Sequence, residues 1–207
     1  MSDICQALHQ LVHLKIVYRF PFDANLLPKN GIYFLFEQGE EAHGTKRIVR
    51  VGTHTGINQL TSRLEQHFLK ENKDRSIFRK NIGRALLNRD HDPFVEQWEL
   101  DLTTAEAKKK YVDLIDFVKQ KEIEKLVSEY IQKNLSFVVF QVDEKEKRLI
   151  WESKLISTIS LCEECKPSAN WLGHHSPMAK IRQSGMWNVN ELYKTPLSEN
   201  DLLRLFN

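Results

Sequence analysis

Three short runs in this chain are dense enough in aromatic and β-branched residues to be strands: GIYFLFE at 31–37, KRIVRV at 46–51 and SFVVFQV at 136–142. The first two are joined by QGEEAHGTK, a polar, glycine-bearing connection of the hairpin type. Side chains alternate across a strand, so Ile32, Phe34 and Phe36 share one face while Tyr33 and Leu35 share the other. On the second strand Val49 and Val51 are expected together, with Ile48 and Arg50 opposite. Placing the valines against the phenylalanines sets Tyr33 and Arg50 side by side on the second face, a register that a one-residue slip would undo.

Between and after these runs the apolar spacing turns helical. Ile4, Leu8, Leu11 and Val12 form a stripe near the start. Leu60, Leu64, Phe68 and Leu69 form another, and Ile77, Ile82 and Leu86 a third before Pro93 interrupts the pattern. From Thr103 to Lys133 a charged section reads as one or two helices, opened by a Thr103/Glu106 capping box. Leu149, Ile150, Leu155, Ile156 and Ile159 mark a helix after the third strand, and SENDLLRLF a small one at the end. The order is strand, strand, helix, helix, insertion, strand, helix. It predicts an α/β (α+β) fold in which a small three-stranded antiparallel sheet is flanked by helices. We divide the chain into a lead-in over 1–30, a main unit over 31–170 with a helical insertion near 92–134, and a C-terminal extension over 171–207 packed on it.

Composition narrows the setting. No uninterrupted apolar run approaches the ~20 residues of a membrane span, and the N-terminus lacks the basic start and apolar block of a secretory signal. Three cysteines, an odd number, do not suggest a disulfide framework. A reducing, cytoplasmic location and no membrane partner are therefore expected. Net charge is only +2 over 207 residues, but its distribution is uneven. Between Arg63 and Arg89 eight lysines and arginines face three acids. Such a surface attracts polyanions, because each neutralised phosphate releases condensed counterions. Lys70, Lys73, Arg75, Arg79, Lys80 and Arg84 are the candidate nucleic-acid-binding residues on it; a merely solvated helix face is the alternative.

Five separated pieces give the chain a family resemblance. GIY at 31–33 and RVG at 50–52 end up on neighbouring strands. RLEQH at 63–67 falls on the next helix, ESKLI at 152–156 on the helix after the third strand, and KPSAN at 166–170 in a turn beyond it. In this order the pieces resemble the GIY-YIG nucleases, in particular stand-alone members of the restriction and homing type. The segment IRQSGMWN resembles a tail found in some stand-alone members. The resemblance implies a metal-dependent endonuclease, a hydrolase acting on the phosphodiester bonds of DNA. Such chemistry needs an activated water, stabilisation of charge on the phosphoryl oxygens and help for the leaving oxygen. Tyr33 is implied as the base or its positioner. A phenol of ordinary pKa near ~10 is a poor base at neutral pH, and a nearby cation favours its phenolate. Arg63 is implied as the phosphate clamp, with His67 one turn later as its helper. Glu152 is implied as the carboxylate holding one Mg²⁺ or Mn²⁺, and Asn170 as a bracing amide. Arg50 stands where the family carries its second tyrosine; it could hold phosphate or lower the phenol's pKa. It could equally mark a scaffold that binds nucleic acid without cutting it.

Other readings stay open beside this one. A protein-interaction domain built around the 103–133 helices is one. CEEC at 162–165 followed by HH at 174–175 offers four zinc-type ligands. A lone Cys-x-x-Cys at that distance from its histidines matches no familiar zinc spacing, however, so structural zinc at Cys162/Cys165 is not expected. The tryptophans and cations of 170–192 could stack bases or simply cap the sheet. A double-strand cut needs two sites or two visits, which makes a homodimer compatible with the reading.

Overall fold

The structure is a computed structural model that describes residues 2–206. Its single sheet has four strands, β1 (Tyr18–Arg19), β2 (Gly31–Ala42), β3 (Thr45–Gly52) and β4 (Leu135–Gln141), in the order β1-β4-β2-β3 and antiparallel throughout. The α+β class and antiparallel sheet are as expected. The fourth strand is an addition of two residues, too short to carry any pattern in the sequence. The helices are α1 (Ser2–His13), α2 (Leu60–Phe68), α3 (Ile77–Arg89), α4 (Val95–Trp98), α5 (Ala105–Tyr111), α6 (Phe117–Asn134), α7 (Lys145–Ser160), α8 (Ala179–Ser184) and α9 (Glu199–Phe206).

The sheet is buried on both faces, which is why its central strand β2 reads as a nearly unbroken apolar run. Ile32, Phe34 and Phe36 pack with Leu8 and Val12 of α1 and Leu155, Ile156 and Ile159 of α7. Tyr33 and Leu35 face the opposite layer, with Leu64 and Phe68 of α2, Phe78 and Ile82 of α3, and Val127 and Ile131 of α6. The expected split of β2 therefore holds. On β3 Val51 faces the phenylalanines and Arg50 the Tyr33 side, as expected, but Ile48 and Val49 are exchanged. Leu35 pairs with Arg50 but Phe36 pairs with Ile48, so Val49 is the extra residue of a β-bulge. The bulge turns Ile48 to the phenylalanine side with Val51 and leaves Val49 on the tyrosine side with Arg50.

The hairpin is also tighter than expected. Its strands run on to Ala42 and Thr45, and the turn is His43-Gly44 alone, both with positive φ (52° and 70°). Two such residues match the right-handed strand twist, and glycine supplies the second without strain. Two smaller differences follow from capping and packing. Thr104, not Thr103, accepts the amide of Ala107 to open α5. Leu69, Ile77, Leu149 and Ile150 stay substantially exposed at the margins of their apolar stripes. Among the described residues no helix is long and apolar enough to cross a membrane.

Candidate active site

Tyr33 lies opposite Gly52 in the ladder. A Cβ on residue 52 would stand 2.2 Å from the tyrosine oxygen, so the glycine is what lets the ring lie across β3. The hydroxyl meets Nε2 of His67 at 2.7 Å, and Nδ1 of the same ring meets the Ser76 hydroxyl at 2.7 Å. Tyr33 and His67 are both fully buried. Burial, reinforced by Arg63, Arg50 and Arg79, holds the His67 pKa well below its ordinary value, so the imidazole is neutral. One ring nitrogen of this neutral imidazole donates and the other accepts, so His67 links the Tyr33 and Ser76 hydroxyls in one buried hydrogen-bonded chain.

Arg50, Arg63 and Glu152 line one cleft of about 440 Å³, together with Ile77, Asn188 and Glu191. Glu152 projects from α7 and accepts the Thr53 amide on Oε1 at 3.0 Å; its other oxygen has no protein partner among the described residues. Burial raises its pKa, an effect offset in part by Arg50, the Thr53 amide and Arg63. A carboxylate so placed, desolvated and only partly neutralised, fits one hard divalent cation. Arg50 donates to the Trp187 carbonyl at 3.2 Å and lies over the Phe78 ring at 5.1 Å, while its Nε is buried without a partner. Arg63 donates to Gln66 and to the Arg75 carbonyl, and it also lines a second cleft with Thr53, His54, Ser62 and Gln66. Tyr33 and His67 lie beneath this surface and line neither cleft.

Asn170 is not brought to this place. Two residues before it, the Ser168 amide and hydroxyl bond Glu40; one residue after it, the Trp171 indole donates to Glu37 at 3.0 Å. Both glutamates stand at the hairpin end of β2, Glu37 about 13 Å along the strand from Tyr33 at ~3.3 Å per residue. Asn170 is exposed there and lines a separate cleft with Glu37, Glu40 and Tyr130. The asparagine that does reach the site is Asn188. Its amide bonds both the N–H (3.1 Å) and the C=O (2.8 Å) of Val51, between Arg50 and Gly52. With Trp187 N–H on the Val49 carbonyl at 2.8 Å, the returning tail covers the open edge of β3.

The basic face is corrected more heavily. Lys73 is 1% exposed and spends its ammonium on Asp74 and the Leu100 carbonyl. Arg79 is fully buried and bonds Glu124, Ser128 and the His67 carbonyl. Lys80 and Arg84 are committed to Glu99. Of the six cations, Lys70 and Arg75 remain exposed, and Lys70 lies 3.3 Å from Glu65. Charge counted along a sequence ignores acids supplied from elsewhere, here Glu99 and Glu124.

Several residues that hold the site together carry little signal in the sequence. Thr53 hydroxyl and His54 Nε2 bind the carbonyl and amide of Gly31, and Asn30 ties down Asn58. Arg148, one turn before Glu152, donates to the carbonyls of His54, Gly56, Val142 and Asp143. It fixes α7 to the loop after β3. The only hint was position: polar residues flanking the two motif strands, in KNGIY and VGTHT.

A family model described as a GIY-YIG domain matches residues 6–206. The chain belongs to the GIY-YIG family. No curated protein and no solved structure matches it. The GIY-YIG domain is a nuclease domain, and the match runs through the first helix and the tail as well as the motif strands.

Proposed function

We propose that this GIY-YIG protein is a metal-dependent endonuclease that hydrolyses DNA phosphodiester bonds. The observation that carries the reading is the pairing of two arrangements around Gly52. A neutral His67 is hydrogen-bonded to the Tyr33 hydroxyl, and Arg50, Arg63 and Glu152 line one cleft nearby. Arg63 and Arg50, both lining the cleft, hold the scissile phosphate. Tyr33, hydrogen-bonded to His67, serves as the base for the attacking water or positions it. Glu152 would hold the single Mg²⁺ or Mn²⁺, which when bound supplies charge neutralisation at the phosphoryl and leaving oxygens. Asn188 keeps the Arg50–Gly52 segment in register. Lys70 and Arg75 extend the contact to flanking phosphates. Asn170, at the other end of the sheet, has no part in this reading.

The complete burial of Tyr33 favours a second reading, a scaffold that binds nucleic acid without cutting it. One experiment separates the two: supercoiled plasmid incubated with the protein and Mg²⁺ or Mn²⁺, with and without chelator. Cleavage that needs metal and is lost in Glu152→Ala supports the enzyme. Salt-sensitive binding with no cleavage under any metal refutes it.

A further inference from the structure

On the face of the sheet away from Tyr33, four side chains from distant parts of the chain converge: Cys5 and His9 of α1, His43 of the hairpin turn, and Cys165 beyond α7. One ligand atom from each lies within 4.8 Å of every other. The Cys5 and Cys165 sulfurs are 3.5 Å apart, Cys165 sulfur is 3.6 Å from Nε2 of His43, and it is 3.9 Å from Nε2 of His9. In a tetrahedron with Zn–S ~2.3 Å and Zn–N ~2.0 Å, the sulfur–sulfur and sulfur–nitrogen edges are about 3.8 and about 3.6 Å. These three spacings fall within a few tenths of an ångström of the ideal edges, and the remaining pairs lie within 4.8 Å.

The imidazoles are oriented as ligands. His9 presents Nδ1 to the Cys5 carbonyl at 2.9 Å, so that Nε2 carries the lone pair; it lies 3.9 Å from the Cys165 sulfur and also accepts the Ile48 N–H at 3.4 Å, a long bond that a metal ligand would give up. His43 turns Nε2 toward the sulfurs, and its buried Nδ1 lies 3.3 Å from the Glu164 carboxylate without a hydrogen bond to it. Carbonyl and carboxylate acceptors behind metal-binding histidines fix ring orientation and raise basicity. Cys5 and His9 are fully buried and Cys165 is 2% exposed. His174 and His175, the histidines nearest in sequence to the Cys-x-x-Cys, are elsewhere and exposed, His174 on the Ser168 carbonyl.

We propose that Cys5, His9, His43 and Cys165 form a structural zinc site, separate from the nuclease centre. Binding Zn²⁺ releases the two thiol protons to solvent. Two thiolates, two neutral imidazoles and the dication then sum to zero charge, which suits a buried site. Four protein donors leave no open position, the arrangement of a structural rather than catalytic zinc. The site clamps α1 and the segment after α7 to the hairpin turn. Cys162, whose sulfur is 3.4 Å from Nε2 of His43, flanks the site as a free thiol.

The test is metal content of the full chain purified without added zinc, by plasma mass spectrometry, with Co²⁺ exchange as the spectroscopic readout. One zinc per chain is expected, along with tetrahedral d–d and thiolate charge-transfer bands for the cobalt form. His43→Ala and Cys165→Ser should lower zinc from one per chain to none and reduce the thermal midpoint. Glu152→Ala and Cys162→Ser should keep the full complement. If the ligand variants do not fold, mercurial titration of the parental protein should release one zinc as its thiols react. Metal-free protein that takes up no Zn²⁺, or a Cys5–Cys165 disulfide in its place, overturns the site. Zinc kept by His9→Ala but lost by Cys162→Ser overturns His9 as the fourth ligand.

Discussion

Replacing Tyr33 with phenylalanine removes one oxygen and tests whether that oxygen is chemistry or packing. The change deletes a 2.7 Å hydrogen bond and leaves Nε2 of a fully buried His67 without a partner. An orphaned buried polar group costs about 1–3 kcal/mol. For a domain of this size each kcal/mol moves the midpoint by about 2–4 °C, so Tyr33→Phe should melt roughly 2–12 °C lower. Loss of a proton acceptor in the chemical step lowers kcat by about 10²–10⁴. The stability loss alone cannot do this, because a protein with ΔG near ~5 kcal/mol or more remains folded after losing 3. The assay is single-turnover plasmid nicking at saturating protein, well below the variant's midpoint, beside a thermal melt. His67→Ala should lose a similar amount, and the double variant no more than either single one, because the pair acts as a unit. Nicking within about threefold of the parental rate in folded Tyr33→Phe would refute the role given to the hydroxyl.

Gly52→Ala drives a methyl to within 2.2 Å of the Tyr33 oxygen, so it should cost about 1–3 kcal/mol and most of the nicking activity; a parental melt and rate would contradict the packing described. Glu152→Gln keeps an acceptor for the Thr53 amide while removing a carboxylate whose pKa burial raises, so chemical denaturation should show unchanged or greater stability alongside lost metal-dependent cleavage. Arg79→Ala strands the buried Glu124 and should cost about 3–5 kcal/mol in urea unfolding. Arg75→Ala, at an exposed position, should leave stability alone and lower the salt dependence of DNA binding by about one counterion. The folded pKa of His67 lies below the ordinary ~6.5, so on acidification the unfolded chain takes the proton first. Its contribution is therefore present above pH ~6.5 and is lost as pH falls toward the folded value, at up to about 1.4 kcal/mol per pH unit. His54 and His13, both lowered chiefly by burial, act in the same direction, and urea midpoints at pH 7.5 and 5.5 measure the sum.

The split of β2 was legible because alternation is local: each residue faces opposite its neighbour whatever the chain does elsewhere. The facing of Ile48 and Val49 was not, because the bulge arises from how two strands pair and leaves no mark on either one. The spacing of Arg63 and His67 was readable for the same local reason as β2. That His67 turns inward to Tyr33, whereas Arg63 turns out to the clefts, depended on α3 placing Ser76 behind the imidazole. The basic run misled because Lys73, Arg79, Lys80 and Arg84 are claimed by acids or carbonyls 1 to 45 residues away.

From its letters alone the chain fixes three strands, most of the helices, the family motifs and the identity of the tyrosine, arginines, histidine and glutamate that carry them. Those are properties of short windows, governed by periodicity and side-chain chemistry. Tertiary structure decided which asparagine braces the site, which cations remain free, and which histidines meet the Cys-x-x-Cys cysteine. Each of these depends on groups from different elements, tens of residues apart for the cations and more than 100 for the asparagine and the histidines, as Cys5 and Cys165 are apart by 160. Only the packing of helices on both faces of the sheet sets such distances.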